Sequence, residues 1–307
     1  MSNIPIFLEV FLKENDYKLE QLLQYNYRKK TYILKVKYKD VYYLLKAFDQ
    51  DKTPVNIKEK FTIEKEFYEK NKSLSIMPKL VGYKDNILIF EYFESISLRD
   101  FLIKNNNKIE VIQNLINSIK IFDGNVCREN NDIVNYNNIF RYISSLCNSH
   151  PFQAKDIKIN IIDSFLNKII NKLLILKANK LIDKLKVVKL KSSFSHNDFH
   201  YNNILVSNNN EIKFIDFENV KYKGFFEFDI LFLIVIVRIY LNKDEIDILD
   251  DYLNELVNKN HYLMDIYNIF EIAISINKKF YLNSNKKYLN SFEKVQLIIK
   301  LLKEKNV

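Results

Sequence analysis

The chain has 307 residues, of which 48% are hydrophobic, and a formal net charge of +9 at pH 7. This length is sufficient for one large domain or for two lobes with a buried core. Only three glycines occur, Gly82, Gly124 and Gly224, which excludes the G-x-G-x-x-G, Walker A and G-x-S-x-G motifs. The lysines are spread along the chain rather than clustered, so we expect no nucleic-acid partner despite the positive charge.

We expect a cytoplasmic protein without a membrane span. The first five residues lack a basic region followed by a long apolar run, so no signal peptide is predicted. Two cysteines cannot form a four-thiolate zinc site, and a reducing compartment is the default for such a chain. The most apolar run, residues 228–241, is interrupted by Asp229 and Arg238 and is shorter than the roughly 20 residues that span a bilayer. It predicts a buried helix.

The first part of the chain is predicted to combine helices with an antiparallel sheet. Two segments rich in strand-forming residues are separated by a Lys39-Asp40 turn, which indicates a hairpin. The predicted helices are residues 6–24 and 57–70, and the predicted strands are 31–38, 41–48 and 86–93.

The pattern changes from strand-rich to helix-rich near residue 94. Ser97 is predicted to cap the helix that follows, and further helices are predicted at residues 157–190 and after Gly224. Because no Gly/Ser-rich or Pro-rich linker separates the two parts, we expect two lobes of one compact body, residues 1–94 and 95–307.

One lysine and one glutamate of the first part lie in apolar surroundings. Lys46 lies within the predicted strand 41–48, where taken alone it would be interpreted as an edge residue with its ammonium in solvent. Glu64 falls in the apolar stripe of the predicted helix 57–70, whereas Glu66 lies on the opposite side. Because a buried carboxylate requires a cation or hydrogen bonds, the sequence predicts a Lys46–Glu64 pair.

A dense group of polar side chains follows at residues 195–206, with a second short segment at 214–218. Asp198 and Asn203 precede a predicted strand, and Asp216 follows the strand that pairs with it across a polar turn. An amide oxygen and a carboxylate oxygen are ligands that suit Mg²⁺. A further carboxylate can accept the proton of an attacking hydroxyl. Kinases combine these groups, with a catalytic Asp, a metal-binding Asn and a metal-binding Asp.

Three other interpretations of this segment remain open at the level of the residues. His196, Asp198 and His200 alternate along the chain and could ligate a transition metal together with Asp216. Ser195 and His196 could belong to a hydrolase, although adjacent side chains point apart. The residues could also be ordinary turn residues.

The segments His196-Asn197-Asp198-Phe199-His200-Tyr201-Asn202-Asn203-Ile204-Leu205 and Phe214-Ile215-Asp216-Phe217-Glu218 resemble the aminoglycoside phosphotransferase and choline kinase family of protein-kinase-like enzymes. The resemblance implies an α+β, two-lobed protein-kinase-like fold, with an N-terminal antiparallel sheet and helix and a larger, mainly helical C-terminal lobe. It also implies ATP or another NTP, Mg²⁺, and transfer of the γ-phosphoryl group to a hydroxyl of a small-molecule acceptor.

The resemblance also implies roles for individual residues. Asp198 is the expected catalytic base, and Asn203 and Asp216 are the expected Mg²⁺ ligands. Lys46 is expected to contact the phosphates, and Glu64 to orient Lys46. His196 and Asp229 are expected to support the catalytic loop. The other expected nucleotide contacts are Arg28 and Lys30 in the nucleotide loop and Glu91 and Tyr92 in the hinge that holds adenine.

The sequence departs from the family pattern in its nucleotide loop. Residues 27–30 contain no glycine, and we expect the basic side chains of Arg28 and Lys30 to substitute for backbone contacts. The chain also lacks tryptophan, the best ring for binding a quaternary ammonium. Choline or ethanolamine, a sugar, an aminoglycoside or a cell-envelope glycan therefore remain possible acceptors. The alternative is a catalytically weak nucleotide-binding pseudokinase that acts through partners.

Overall fold

The computed structural model describes residues 4–26, 31–49, 56–126, 130–133, 136, 139–143, 161–188, 191–276 and 289–303. Two compact units are present. The first contains the chain up to Ile96 together with Ile204–Val220, and the second contains Ser97–Asn203 together with the chain from Lys221 onward.

The first unit is built on a five-stranded antiparallel sheet with the order β1-β2-β3-β5-β4. Its strands are β1 (Lys18–Asn26), β2 (Thr31–Tyr38), β3 (Val41–Phe48), β4 (Leu80–Lys84) and β5 (Ile87–Glu91), and its helices are α1 (Ile6–Glu14) and α2 (Asn56–Lys70). The predicted β2–β3 hairpin is confirmed, with Lys39 at a positive φ of 53° in the turn. Apolar side chains of α1 and of one sheet face form a core, among them Leu8, Leu34 and Leu45.

The prediction of one helix over residues 6–24 is wrong. Helix α1 ends at Glu14, where the Asn15 side chain donates to the carbonyl of Phe11 and Asp16 takes a left-handed conformation with φ 55°. The chain then continues as β1, which pairs with β2 along its length. Leu, Gln, Glu and Lys favour helices in isolation, but backbone pairing with a neighbouring strand overrides that weak preference here.

The second unit is mainly helical. Its helices are α3 (Leu98–Lys104), α4 (Ile109–Val126), α5 (Ile161–Val188), α6 (Phe226–Arg238), α7 (Lys243–Lys259), α8 (Tyr262–Ser275) and α9 (Ser291–Lys303). The predicted cap is confirmed, because the Ser97 hydroxyl accepts from the Asp100 N–H at 3.1 Å. Almost all of α6 is buried, as the apolar run predicted. Within the residues the structure describes, no helix has the length and apolar character needed to cross a bilayer.

Two small sheets contain parts of the segments with the kinase-like residues. Strand β9 (Ile204–Ser207) pairs antiparallel with β10 (Ile212–Phe214), as predicted, and β6 (Ser95–Ser97) completes that sheet. In the second unit, β7 (Asn130–Ile133), β8 (Lys191–Ser195) and β11 (Lys221–Gly224) form a sheet with the order β11-β8-β7.

The β9–β10 hairpin belongs to the first unit, although it follows residue 94 by more than a hundred positions. The N–H of Phe214 donates to the Ile76 carbonyl at 2.8 Å, and the Lys213 ammonium donates to the Ser75 carbonyl at 2.6 Å. The compact units therefore differ from a division at residue 94, because these long-range hydrogen bonds tie the hairpin to the N-terminal part of the chain.

We expect Gly224→Ala to destabilise the second unit. A β-carbon at Gly224 would overlap the β-carbon of Ser195 and lie 3.1 Å from its backbone nitrogen, so β8 and β11 would have to separate. The free energy of unfolding, measured by urea denaturation, should fall by about 1–3 kcal/mol.

Gly124→Ala is the matched control for this change. Gly124 lies within α4, and a β-carbon there would meet no atom of the described residues within 4 Å. This variant should gain about 0.5–1 kcal/mol of stability. Equal stability of the two variants would contradict the packing at Gly224.

Candidate functional site

Lys46 lies at the centre of a buried cluster of charges in the first unit. Its ammonium lies 2.6 Å from Glu64 Oε2, 2.6 Å from Asp216 Oδ1 and 3.6 Å from Glu218 Oε2. Lys46 is 7% exposed and Glu64 is 1% exposed. The predicted Lys46–Glu64 pair is therefore present, and the edge interpretation of Lys46 is wrong. We call Lys46, Lys60, Glu64, Asp216 and Glu218 the lysine–carboxylate cluster.

Aromatic packing beside the cluster holds together the two segments of the chain that carry its carboxylates. Helix α2 places Phe67 and Tyr68 next to Glu64, and the ring of Phe217 stacks on Phe67 at 4.3 Å and meets Tyr68 edge-on at 5.4 Å. All three rings are buried. This packing ties the segment that carries Asp216 and Glu218 to the helix that carries Glu64.

The cluster contains more acid than base. The ammonium groups of Lys46 and Lys60 face three carboxylates. Burial alone would lower the pKa of Lys46, but Asp216, Glu64 and Glu218 together raise it well above its ordinary value. Burial raises the pKa of Glu64 to about 7, with Asp216 and Glu218 acting in the same direction and Lys46 opposing them. Such an arrangement attracts a further cation.

Asp216 has an unusual backbone. Its φ of 67° and ψ of 53° lie in the left-handed region, directly before the short 3₁₀ turn Phe217–Asn219. This conformation costs a non-glycine residue about 1 kcal/mol or more, and such residues cluster at functional sites. Here it accompanies the direct contact between the Asp216 carboxylate and Lys46.

The side chains present fit a divalent cation. One oxygen from each of Glu64, Asp216 and Glu218 lies within 4.8 Å of the others, and carboxylate oxygens are the ligands that Mg²⁺ prefers. In the second unit, Asn203 donates its side-chain N–H to the Asp198 carbonyl at 2.9 Å. That bond engages the amide nitrogen, so the amide oxygen is the atom left to bind a cation.

The segment that carries Asp198 is held by a second buried acid, Asp229 of α6. The Asp229 carboxylate accepts from Ser195 Oγ at 2.8 Å, from the His196 N–H at 2.7 Å and from the Asn197 N–H at 3.3 Å. The Tyr142 hydroxyl also donates to it. Burial raises the pKa of Asp229 to about 6, although these hydrogen bonds oppose the rise. Asp229 thus fixes the residues immediately before Asp198.

Asp198 is partly exposed and has two basic neighbours. The Arg141 guanidinium lies 3.8 Å and His200 Nε2 lies 3.7 Å from Asp198 Oδ1. His200 Nδ1 accepts from the Asn202 N–H at 3.1 Å, which assigns its proton to Nε2. Within the described residues, only Glu64, Asp216 and Glu218 form a group of three side chains close enough to share a metal. The interpretation of His196, Asp198 and His200 as a metal site is therefore not supported.

The remaining predicted nucleotide contacts lie elsewhere. The Glu91 side chain is exposed and pairs with Lys79 at 2.7 Å. The backbone N–H groups of Glu91 and Tyr92 donate to the carbonyls of Lys79 and Tyr42, at 3.0 and 3.4 Å. Arg28 and Lys30 lie outside the described residues.

Sequence reasoning missed three members of these clusters. Glu218 was named only as part of the segment 214–218 and received no role, although it lies two residues after Asp216. Lys60 lies one helical turn before Glu64 on α2, a spacing that places both on one side of the helix and could have identified it. Arg141 comes from a short helical segment, residues 139–143, that no pattern connects with Asp198.

No protein-family model and no curated protein matches this chain. Solved structures do match. An ethanolamine kinase from Plasmodium vivax superposes with a TM-score of 0.51 and 18% identity, covering 95% of this chain and 82% of its own. The chain has the fold of the protein-kinase-like small-molecule phosphotransferases. The predicted α+β fold class is thereby confirmed.

Two further structures support the same fold. A spectinomycin phosphotransferase in complex with ADP and spectinomycin has a TM-score of 0.51 and 14% identity, covering 99% of this chain and 95% of its own. The choline kinase LicA from Streptococcus pneumoniae has a TM-score of 0.50 and 15% identity, covering 98% of this chain and 100% of its own.

We expect Glu64→Gln to flatten the pH dependence of stability. A carboxyl whose pKa is higher in the folded than in the unfolded state contributes stability fully below about pH 4.5, and loses it as the pH rises towards about 7. Between pH 4.5 and 8, the wild-type free energy of unfolding should fall by about 1–3 kcal/mol more than that of Glu64→Gln.

Urea denaturation across this pH range measures the difference. Glu66→Gln is the matched control, since Glu66 lies exposed on the same helix and should leave the wild-type slope unchanged. Parallel slopes for wild type and Glu64→Gln would contradict the raised pKa of Glu64.

Proposed function

We propose that this chain is a Mg²⁺-dependent kinase that transfers the γ-phosphoryl group of ATP, or of another NTP, to a hydroxyl group of a small molecule. One observation carries the proposal: the Lys46 ammonium lies 2.6 Å from both Glu64 and Asp216 in a buried site. A structural lysine needs a single counterion, whereas this cluster contains an excess of acid that suits a phosphate-bound cation.

The first unit supplies the groups that would contact the phosphates. Lys46 would bind phosphate oxygens while Glu64 keeps its ammonium in place. Asp216, with Asn203 of the second unit, would hold Mg²⁺, which when bound neutralises charge on the phosphates. Arg28 and Lys30 would add positive charge from the nucleotide loop. In this proposal residues 1–94 bind the nucleotide and residues 95–307 bind the acceptor.

Asp198 would act as the general base in the second unit. A partly exposed carboxylate can accept the proton of an acceptor hydroxyl, and Arg141 and His200 flank it. Asp229 holds the two backbone N–H groups that precede Asp198, so it would restrict where the base can point. General-base catalysis of this kind contributes about 10²–10⁴-fold to a rate.

The proposal also includes the chemical class of the acceptor. Proteins with this fold include an ethanolamine kinase, a choline kinase and a spectinomycin phosphotransferase. We propose a hydroxylated small molecule, with choline, ethanolamine, a sugar, an aminoglycoside or a cell-envelope glycan as candidates. A nucleotide-binding pseudokinase is the second candidate, because the nucleotide loop contains no glycine.

We expect Asp198→Asn to abolish most of the phosphoryl transfer. The amide cannot accept the hydroxyl proton, so kcat should fall by about 100-fold or more. The KM for ATP and the melting temperature should change little, because Asp198 is partly exposed. The measurement is a coupled ADP-release assay with Mg²⁺, ATP or GTP, and a panel of the acceptors named above.

Asp183→Asn is the control, since Asp183 lies exposed on α5 of the same unit. Equal turnover by wild type and Asp198→Asn on every acceptor would overturn the role of Asp198. Nucleotide binding without turnover on any acceptor would favour the pseudokinase.

A further inference from the structure

Lys60 of α2 makes an ion pair that has no assigned role in the proposed reaction. Its ammonium lies 2.9 Å from Glu218 Oε1. Glu218 is 2% exposed, so its carboxylate lies in the protein interior. An ion pair with a buried carboxylate has consequences that a surface pair lacks, because removing the cation leaves an unbalanced charge.

The second oxygen of Glu218 faces the centre of the cluster. Glu218 Oε2 lies 3.6 Å from the Lys46 ammonium, whereas Glu64 and Asp216 each lie 2.6 Å from it. Glu218 is therefore close enough to compete for Lys46, while its other oxygen pairs with Lys60. Without Lys60, this carboxylate would lose the closer of these two ion pairs and keep the attraction to Lys46.

Lys60 also fastens the turn that carries Asp216. Helix α2 contacts two residues of this turn: Phe217, through the rings of Phe67 and Tyr68, and Glu218, through Lys60. Asp216 adopts its left-handed conformation directly before these two residues. Because Phe217 and Glu218 are both held by α2, the Asp216 carboxylate has little freedom to move.

We propose that Lys60 is a positioning residue for the lysine–carboxylate cluster. By holding Glu218, it leaves Lys46 to Glu64 and Asp216 and so preserves the arrangement that binds the nucleotide phosphates. This inference rests on the proposed function for the ligand, a Mg²⁺–nucleotide complex, and on the observed geometry for the coupling between Lys60 and Glu218.

Lys60→Met should change two affinities in opposite directions. Glu218 would draw Lys46 away from the phosphates, so the dissociation constant for Mg²⁺–ADP should rise by about tenfold. The cluster would also become more negative, so Mn²⁺ without nucleotide should bind at least about twofold more tightly. A general loosening of the fold would instead lower the affinity for both ligands.

The experiment is a double-mutant cycle between Lys60→Met and Glu218→Gln. Isothermal titration calorimetry measures Mg²⁺–ADP binding, electron paramagnetic resonance measures Mn²⁺ binding, and thermal unfolding is measured without ligand. Lys60→Arg should restore both affinities to within about twofold of wild type. Lys58→Met is the control, because Lys58 lies exposed on the same helix and should leave them unchanged.

In the Glu218→Gln background, Lys60→Met should have almost no further effect on the affinity for Mg²⁺–ADP or on the melting temperature. Mn²⁺ binding should still tighten there, because the same positive charge is removed. An undiminished loss of Mg²⁺–ADP affinity in that background would overturn the proposal, since Lys60 would then contact the ligand directly. Unchanged affinities in Lys60→Met itself would overturn it as well. If Lys60→Met does not fold, Lys60→Gln replaces it in the same cycle.

Different results would contradict the proposed function and the role of Lys60. If wild type binds no Mg²⁺–nucleotide, the proposed function is wrong. The cycle in melting temperature then decides by itself whether Lys60 and Glu218 are coupled, and additive effects would overturn the coupling.

Discussion

The burial of one ammonium group among several carboxylates is the constraint on which the first unit depends. Lys46 is placed by the central strand of a sheet, and its partners come from α2 and from the turn after β10. Taking these charges out of water costs several kcal/mol per ion, and only close pairing offsets it. The packed rings of Phe67, Tyr68 and Phe217 hold α2 and the turn after β10 in contact. The fold therefore keeps a polar arrangement that stability alone would not favour, which is typical of a functional site.

In the second unit, a buried carboxylate is stabilised by hydrogen bonds. Asp229 is completely buried and accepts hydrogen bonds from Tyr142, Ser195 and two backbone N–H groups. Among the residues that the structure describes, no ion pair joins it. Hydrogen bonds from backbone groups have fixed directions, so this acid determines the path of the chain before Asp198. The close approach of Gly224 to Ser195 serves the same segment, because no side chain fits between β8 and β11 there.

Sequence patterns predicted the parts of this arrangement that rest on local periodicity. The β2–β3 hairpin, the α2 helix, the Lys46–Glu64 pair and the β9–β10 hairpin all follow from alternation or from a helical wheel. β1 was predicted as helix because its residues favour helices and only pairing with β2 makes them a strand. Lys60 and Arg141 escaped prediction because their partners, Glu218 and Asp198, are far away in the sequence. Contacts of that kind depend on tertiary packing, which periodicity does not encode.

We propose that the lysine–carboxylate cluster binds the phosphates of a nucleotide. Isothermal titration of Mg²⁺–ATP into wild type and Lys46→Met tests it most directly, since it requires no knowledge of the acceptor. We predict saturable binding by wild type and a dissociation constant raised by about 30-fold or more in the variant, which is the loss expected for one partner of a buried charge pair. Equal affinities in the two proteins, or no binding by wild type, would contradict it.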